Sequence, residues 1–180
     1  MTIDGGQISG TTHSSSLFNS FFAFRGIPYA LPPVGNLRFR NPQPPQSWKG
    51  VRDGSRHANH CPNDDIIGRE ARGNEDCLYL NVYTTSLTGK RAVMFWIHGG
   101  AYVIGDGDSS VYGPDFIVRD DVVVVTINYR LSALGFLSTE DENAQGNYGL
   151  KDMVAALKWV QLNIHNFGGD PELVTIFGQR

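Results

Sequence analysis

The run Val93–Ile97, VMFWI, followed at once by His98-Gly99-Gly100-Ala101, constrains the fold more than any other stretch of the chain. A near-continuous apolar run is satisfied as a strand buried on both faces, the arrangement of a parallel sheet flanked by helices. The residues after it carry little or no side chain, so their backbone N–H groups stand bare at the strand's end. Two such amides converging on one point can hold a developing oxyanion. The competing reading is a plain glycine turn between two hydrophobic segments.

Other stretches support a sheet. Val122–Tyr129, VVVVTINY, is apolar on both faces, and Cys77–Thr84 mixes period-2 alternation with β-branched and aromatic residues. The turn Thr88-Gly89-Lys90 leads into a strand from Arg91 to His98, and Asp115 to Asp120 reads as a short helical turn. A helix is predicted from Asn147 to Ile164, with Leu150, Met153, Val154, Leu157 and Val160 or Gln161 on one apolar stripe. Asp152 near its start suits the helix dipole, and Gly168 and Gly169 supply the stop. Leu173–Phe177 is then predicted as a short buried strand, so strand, helix and strand make a βαβ crossover and a sheet that is at least partly parallel.

Upstream, residues 7–31 read as short strands broken by glycines, with Pro28 stopping further pairing. From Pro32 to Trp48 the prolines predict an extended surface segment anchored by Leu37, Phe39 and Trp48. A proline-rich ligand is the alternative, but the interspersed apolar residues suit a wrapped segment better.

At 180 residues the chain suits one domain, and a net charge of −3 offers no electrostatic footprint for nucleic acid. No run is long and apolar enough to span a bilayer. The first twenty residues lack a basic start and a hydrophobic core, so no signal peptide is expected in this chain. Cys61 and Cys77 flank a polar segment, PNDDIIGREARGNED, and stand either as a disulfide or as two unrelated thiols. A disulfide would close a loop worth roughly 3 kcal/mol and would hint at a secretory origin. Two cysteines so spaced, without a second pair, do not make a tetrahedral zinc site, and neither metal nor cofactor is expected.

Taken together, the stretches resemble the type-B carboxylesterase and cholinesterase-like branch of the α/β-hydrolases. The resemblance is carried by FRGIPYA at 24–30, PPVGNLRF at 32–39, NEDCLYLNVY at 74–83, WIHGG at 96–100 and YGPDF at 112–116. It continues through VVVVTINYR at 122–130, LGFLS at 134–138, GNYGLKD at 146–152, and FGGDP and VTIFG between 167 and 178. It implies an α/β fold: the amino-terminal part of an α/β-hydrolase, a mixed, mostly parallel sheet flanked by helices. Residues 1–180 would be the amino-terminal third of a single domain, truncated at the nucleophile elbow.

The resemblance also assigns roles. Gly99, Gly100 and Ala101 would form the oxyanion hole, Gly99 giving the backbone room to turn. Cys61 and Cys77 would close a disulfide loop, and Arg38 with Glu75 and Arg130 with Asp152 would form structural ion pairs. His98 would support the loop rather than act as general base. His13, His57, His60 and His165 lie outside the shared motifs and read as surface or structural histidines. The cysteine loop lacks the tryptophan that holds choline in cholinesterases, so a choline ester is not the expected substrate.

One departure bears on activity: Arg180 stands where G-x-S-x-G would place the nucleophilic serine. An arginine cannot attack an ester carbonyl. The expected function is that of a carboxylic ester hydrolase working through an acyl-enzyme on a small-molecule ester, with this chain inactive as it stands. The alternative is a non-catalytic cholinesterase-like adhesion protein. An intact small binding domain is not expected, because the last strand should lie mid-sheet and leave an open edge, and poor solubility is expected because the core of a larger domain would be cut through. Ester preference, oligomeric state and compartment are not legible.

Overall fold

In the computed structural model, which describes residues 1–14, 20–64 and 70–179, the chain opens with β1 (Thr2–Ile3) and β2 (Gly6–Ser9), then β3 (Thr11–His13) and β4 (Phe21–Pro28). After β5 (Val51–Asp53) come two very short strands, β6 (Asn63–Asp64) and β7 (Ala71–Arg72), followed by β8 (Tyr79–Thr84) and β9 (Arg91–Ile97). The remaining elements are β10 (Val123–Ile127), α1 (Ser132–Phe136), α2 (Tyr148–Asn163) and β11 (Gly169–Gly178).

The main sheet has six strands in the order β11-β9-β10-β8-β4-β3. Its β10-β9-β11 part is parallel, while β8, β4 and β3 join antiparallel, so the sheet is mixed. The parallel part needs crossovers, and the passage from β10 to β11 goes through α1 and α2. A smaller sheet, β1-β2-β5, lies beside it, and β6 pairs with β7.

Residues 21–28 form one strand rather than short pieces broken by glycine. Gly26 sits at φ 65°, and the pairing with β8 shifts register between Phe24 and Ile27. The strand therefore passes through the glycine by bulging instead of ending there.

The Pro32–Trp48 segment makes a single 3-10 turn at Gly35–Leu37 and is pinned at its far end, where the Trp48 indole donates to the Gln7 carbonyl at 2.7 Å. The expected turn before β10 is a 3-10 turn at Val118–Asp120.

One face of the sheet, carrying Phe24, Ile27, Leu80, Val82, Val93, Phe95, Val123, Val125 and Ile127, packs under α2. The other face is covered more thinly by Phe21, Ala23, Tyr83, Val118 and Val124. Strand β10 is buried along its length, whereas β9 is buried at Val93 and Phe95 on the α2 side and half-covered on the other, at Met94 and Trp96. Strand β11 departs from the expected short buried strand. It is ten residues long and hydrogen-bonds only to β9 among the described residues, which leaves Leu173 and Ile176 exposed.

The helix falls where the periodicity puts it, but its buried face is rotated. Leu150 and Val154 face outward, and the buried positions are Tyr148, Gly149, Asp152, Met153, Ala156, Trp159, Val160 and Asn163. Asp152 drives the rotation: its carboxylate turns inward to Arg130 instead of standing in solvent near the helix dipole.

Candidate active site

At the carboxyl ends of β9, β10 and β11 a cavity of about 550 Å³ opens, lined by His98, Gly99, Ala101, Tyr102, Tyr129, Met153, Ile176, Phe177, Gly178 and Gln179. Parallel strands bring these residues together, since Phe177 pairs with Trp96 and Gly178 with Ile97. Ligand sites in such sheets lie outside the carboxyl ends of the strands.

The loop after β9 turns sharply. The N–H groups of Val103 and Ile104 both donate to the Gly100 carbonyl, at 2.9 and 3.1 Å. A Cβ on Gly100 would lie 2.1 Å from the Ile104 carbonyl oxygen, and the residue's φ is 115°, so only glycine fits. Ala101 and Tyr102 follow with φ of 53° and 62°, a conformation that costs an L-residue energy. Among the described residues, neither the Gly100 nor the Ala101 N–H has an acceptor.

His98 fixes the start of this loop. Its ring is buried and stacked on Tyr129 at 4.3 Å, and its Nδ1 lies 2.8 Å from the Gly99 carbonyl. The carbonyl can only accept, so Nδ1 carries the proton and Nε2, buried without a partner, is the bare nitrogen. The Tyr129 hydroxyl donates back to the His98 carbonyl at 2.9 Å. Burial holds the His98 pKa below the ordinary histidine value, against the opposing pull of the Gly99 carbonyl and Asp106. The neutral ring thus braces the loop.

Beside the position before Arg180, the Tyr112 hydroxyl donates to Gln179 Oε1 at 2.7 Å, and Trp96 packs between Tyr112 and Phe177. Arg180 itself lies outside the described residues.

A model of the Carboxylesterase family matches residues 1–180. The chain belongs to this family. Among curated relatives of this carboxylesterase-family chain, it is 47% identical to a juvenile hormone esterase of Tribolium castaneum, over 97% of this chain and 30% of that protein. To a para-nitrobenzyl esterase of Bacillus subtilis it is 43% identical, over 99% of this chain and 37% of the relative. Among solved structures, the Manduca sexta juvenile hormone esterase superposes with a TM-score of 0.92 at 41% identity, covering 99% of this chain and 35% of the other. The fold is that of the α/β-hydrolase carboxylesterases, and the chain spans about a third of its relatives' length.

Elsewhere in the carboxylesterase-family chain, Cys61 and Cys77 form a disulfide, whose loop includes residues 65–69 outside the described set. Arg38 makes two 2.6 Å contacts with Glu75 at the surface, and Arg130 is buried against Asp152. Neither pair enters the cavity.

Sequence reasoning missed one cluster. His57 and His60, read as surface or structural histidines, converge on Asp106 and Asp108 in the segment that leaves the Gly99–Ala101 turn. Burial lowers His57 to about 4, with Arg25 adding, while its contact with Asp106 raises His60 against burial. Burial pushes Asp106 up, but His60, the Asp108 N–H and Arg72 outweigh it and hold the carboxyl at about 2. Asp108 is pushed up to about 6 by burial, against the pull of His60. No spacing rule pairs residues so far apart in the chain.

Proposed function

We propose that the chain supplies the oxyanion-binding part of a carboxylic ester hydrolase that acts on small-molecule esters by acyl transfer. The reading rests on one observation: the Gly100 and Ala101 N–H groups have no acceptor among the described residues, in a strained turn beside a cavity at the carboxyl ends of parallel strands. Donors held in place before the reaction stabilise the charge of a tetrahedral intermediate without reorganising, and one such donor is worth about 10²–10³ in kcat. The apolar lining from Met153, Ile176 and Phe177 suits the hydrocarbon part of an ester. The esterases among the relatives agree with this chemistry.

Position 180 holds arginine, so the chain provides no serine there to form an acyl-enzyme. The purified chain is expected to show no p-nitrophenyl acetate turnover above a heat-denatured control. Turnover abolished by a serine-directed organophosphate would contradict this.

A chimera tests the oxyanion reading separately. Residues 1–179 would replace the corresponding stretch of the Bacillus subtilis para-nitrobenzyl esterase, whose own chain continues from there. Hydrolysis of p-nitrophenyl acetate is expected. A folded chimera that reacts with a fluorophosphonate yet turns over no ester would sink the proposal.

A further inference from the structure

His60, Asp106 and Asp108 are brought together from two separate segments, and one donor atom from each lies within 4.8 Å of the others. His60 Nδ1 is 2.8 Å from Asp106 Oδ2, and His60 Nε2 is 3.3 Å from Asp108 Oδ2. Neither contact is aligned as a hydrogen bond, and Nδ1 is buried with no hydrogen-bond partner. One ion takes one ring nitrogen: with Nδ1 and Asp106 Oδ2 each ~2.1 Å from it and a right angle between them, the two atoms sit about 3 Å apart while their lone pairs aim at the ion.

The surrounding groups hold the donors in place. The Asp108 N–H donates to Asp106 Oδ1 at 3.0 Å, which leaves Oδ2 turned toward His60. His57 Nε2 accepts from the Ser109 N–H at 3.2 Å, so its proton sits on Nδ1, which donates to Asn81 Oδ1 at 3.2 Å and lies 3.2 Å from Asp108 Oδ1. The bond from the Asp108 N–H to Asp106 is of the kind that outer groups make to metal-bound carboxylates. Arg72, partly exposed, donates from Nη2 to Asp106 Oδ2 at 3.0 Å and from Nε to Asn63 Oδ1 at 3.3 Å.

We propose that His60, Asp106 and Asp108 bind a divalent cation of the zinc class, with Arg72 the group the cation displaces. One imidazole nitrogen and two carboxylate oxygens suit Zn²⁺ or Co²⁺ and disfavour a soft monovalent ion. Two carboxylates match the ion's charge. The bound ion ties the segment ahead of Cys61 to the segment that leaves the Gly99–Ala101 turn. The site stands independently of the ester-hydrolase reading.

The test titrates the metal-free chain with Co²⁺, followed by its visible absorption bands, and with Zn²⁺, followed by calorimetry. One equivalent is expected to bind. H60Q, D106N and D108N should each weaken binding by about tenfold or more. R72Q should tighten it, because the competing guanidinium is gone, and H165Q, at an exposed histidine outside the cluster, should leave it unchanged. No Co²⁺ bands at millimolar metal, or affinity unaltered by the cluster variants, would overturn the site. If the aspartate variants do not fold, R72Q decides alone, and unchanged affinity there counts against the proposal.

Discussion

Arg130 and Asp152 clasp each other inside the fold: Arg130 Nε and backbone N donate to Oδ2 at 2.8 and 3.1 Å, and Nη2 donates to Oδ1 at 2.6 Å. The pair joins the chain just after β10 to the first turns of α2, and both side chains are buried. Asp152→Asn keeps the shape but removes the charge, which leaves Arg130 buried without its counter-ion. Such a break costs about 3–5 kcal/mol. Urea unfolding should show that loss, and a change under about 1 kcal/mol would mean that water reaches Arg130 in the variant.

The Cys61–Cys77 bridge closes a loop with a sequence separation of 16. Chain-entropy reasoning gives it about 3 kcal/mol, acting mainly on the unfolded state. The double variant C61S/C77S should therefore unfold at lower urea by that amount, and reduction with dithiothreitol should match it. A double variant as stable as the oxidised chain would show that the loop is already ordered when unfolded.

Ala101 sits at φ 53° between a glycine that requires its own positive φ and Tyr102 at φ 62°. Glycine at 101 removes a penalty of about 1–2 kcal/mol for the left-handed conformation and returns part of it as extra freedom in the unfolded chain. Ala101→Gly is expected to raise stability by about 0.5–1 kcal/mol, read as a higher urea midpoint. A lower midpoint would mean that the Ala101 methyl packs usefully at the cavity wall.

Much of this architecture can be read from local pattern. The apolar runs at β9 and β10 and the periodic stretch at α2 announce the parallel layer, because burial on both faces and helical spacing leave a direct mark on residue order. What pattern misses depends on partners far along the chain. Periodicity puts the stripe through Leu150 and Val154 on the buried face of α2, yet that face carries Gly149, Asp152, Ala156 and Asn163, small or polar residues that periodicity scores as surface. Asp152 is buried because Arg130 waits there, and only the shared motifs suggested that pair. The His57, His60, Asp106 and Asp108 cluster left no trace, since its members lie on segments that meet only after the sheet forms. The bare amides of Gly100 and Ala101 were suggested by glycine content, whereas the positive φ of Ala101 and Tyr102 was not.

His98 makes the loop after β9 sensitive to acid. Burial, opposed by the Gly99 carbonyl and Asp106, keeps its folded pKa below the unfolded value of about 6.5. Above that pH both states hold a neutral ring and the group has no effect on folding. As pH falls below it, the unfolded chain takes up a proton that the folded chain refuses, so stability declines until the folded pKa is reached, by up to about 1.4 kcal/mol per pH unit. His57, also depressed, adds a decline of the same sign in the wild type and in any His98 variant alike. Comparing H98Q with the wild type therefore isolates the ring. Between about pH 6.5 and 5 the variant's stability, measured by urea unfolding at each pH, should fall less steeply than the wild type's. Parallel curves would mean that the His98 ring accepts its proton inside the fold, and its bracing of the Gly99 carbonyl would then not depend on the neutral form.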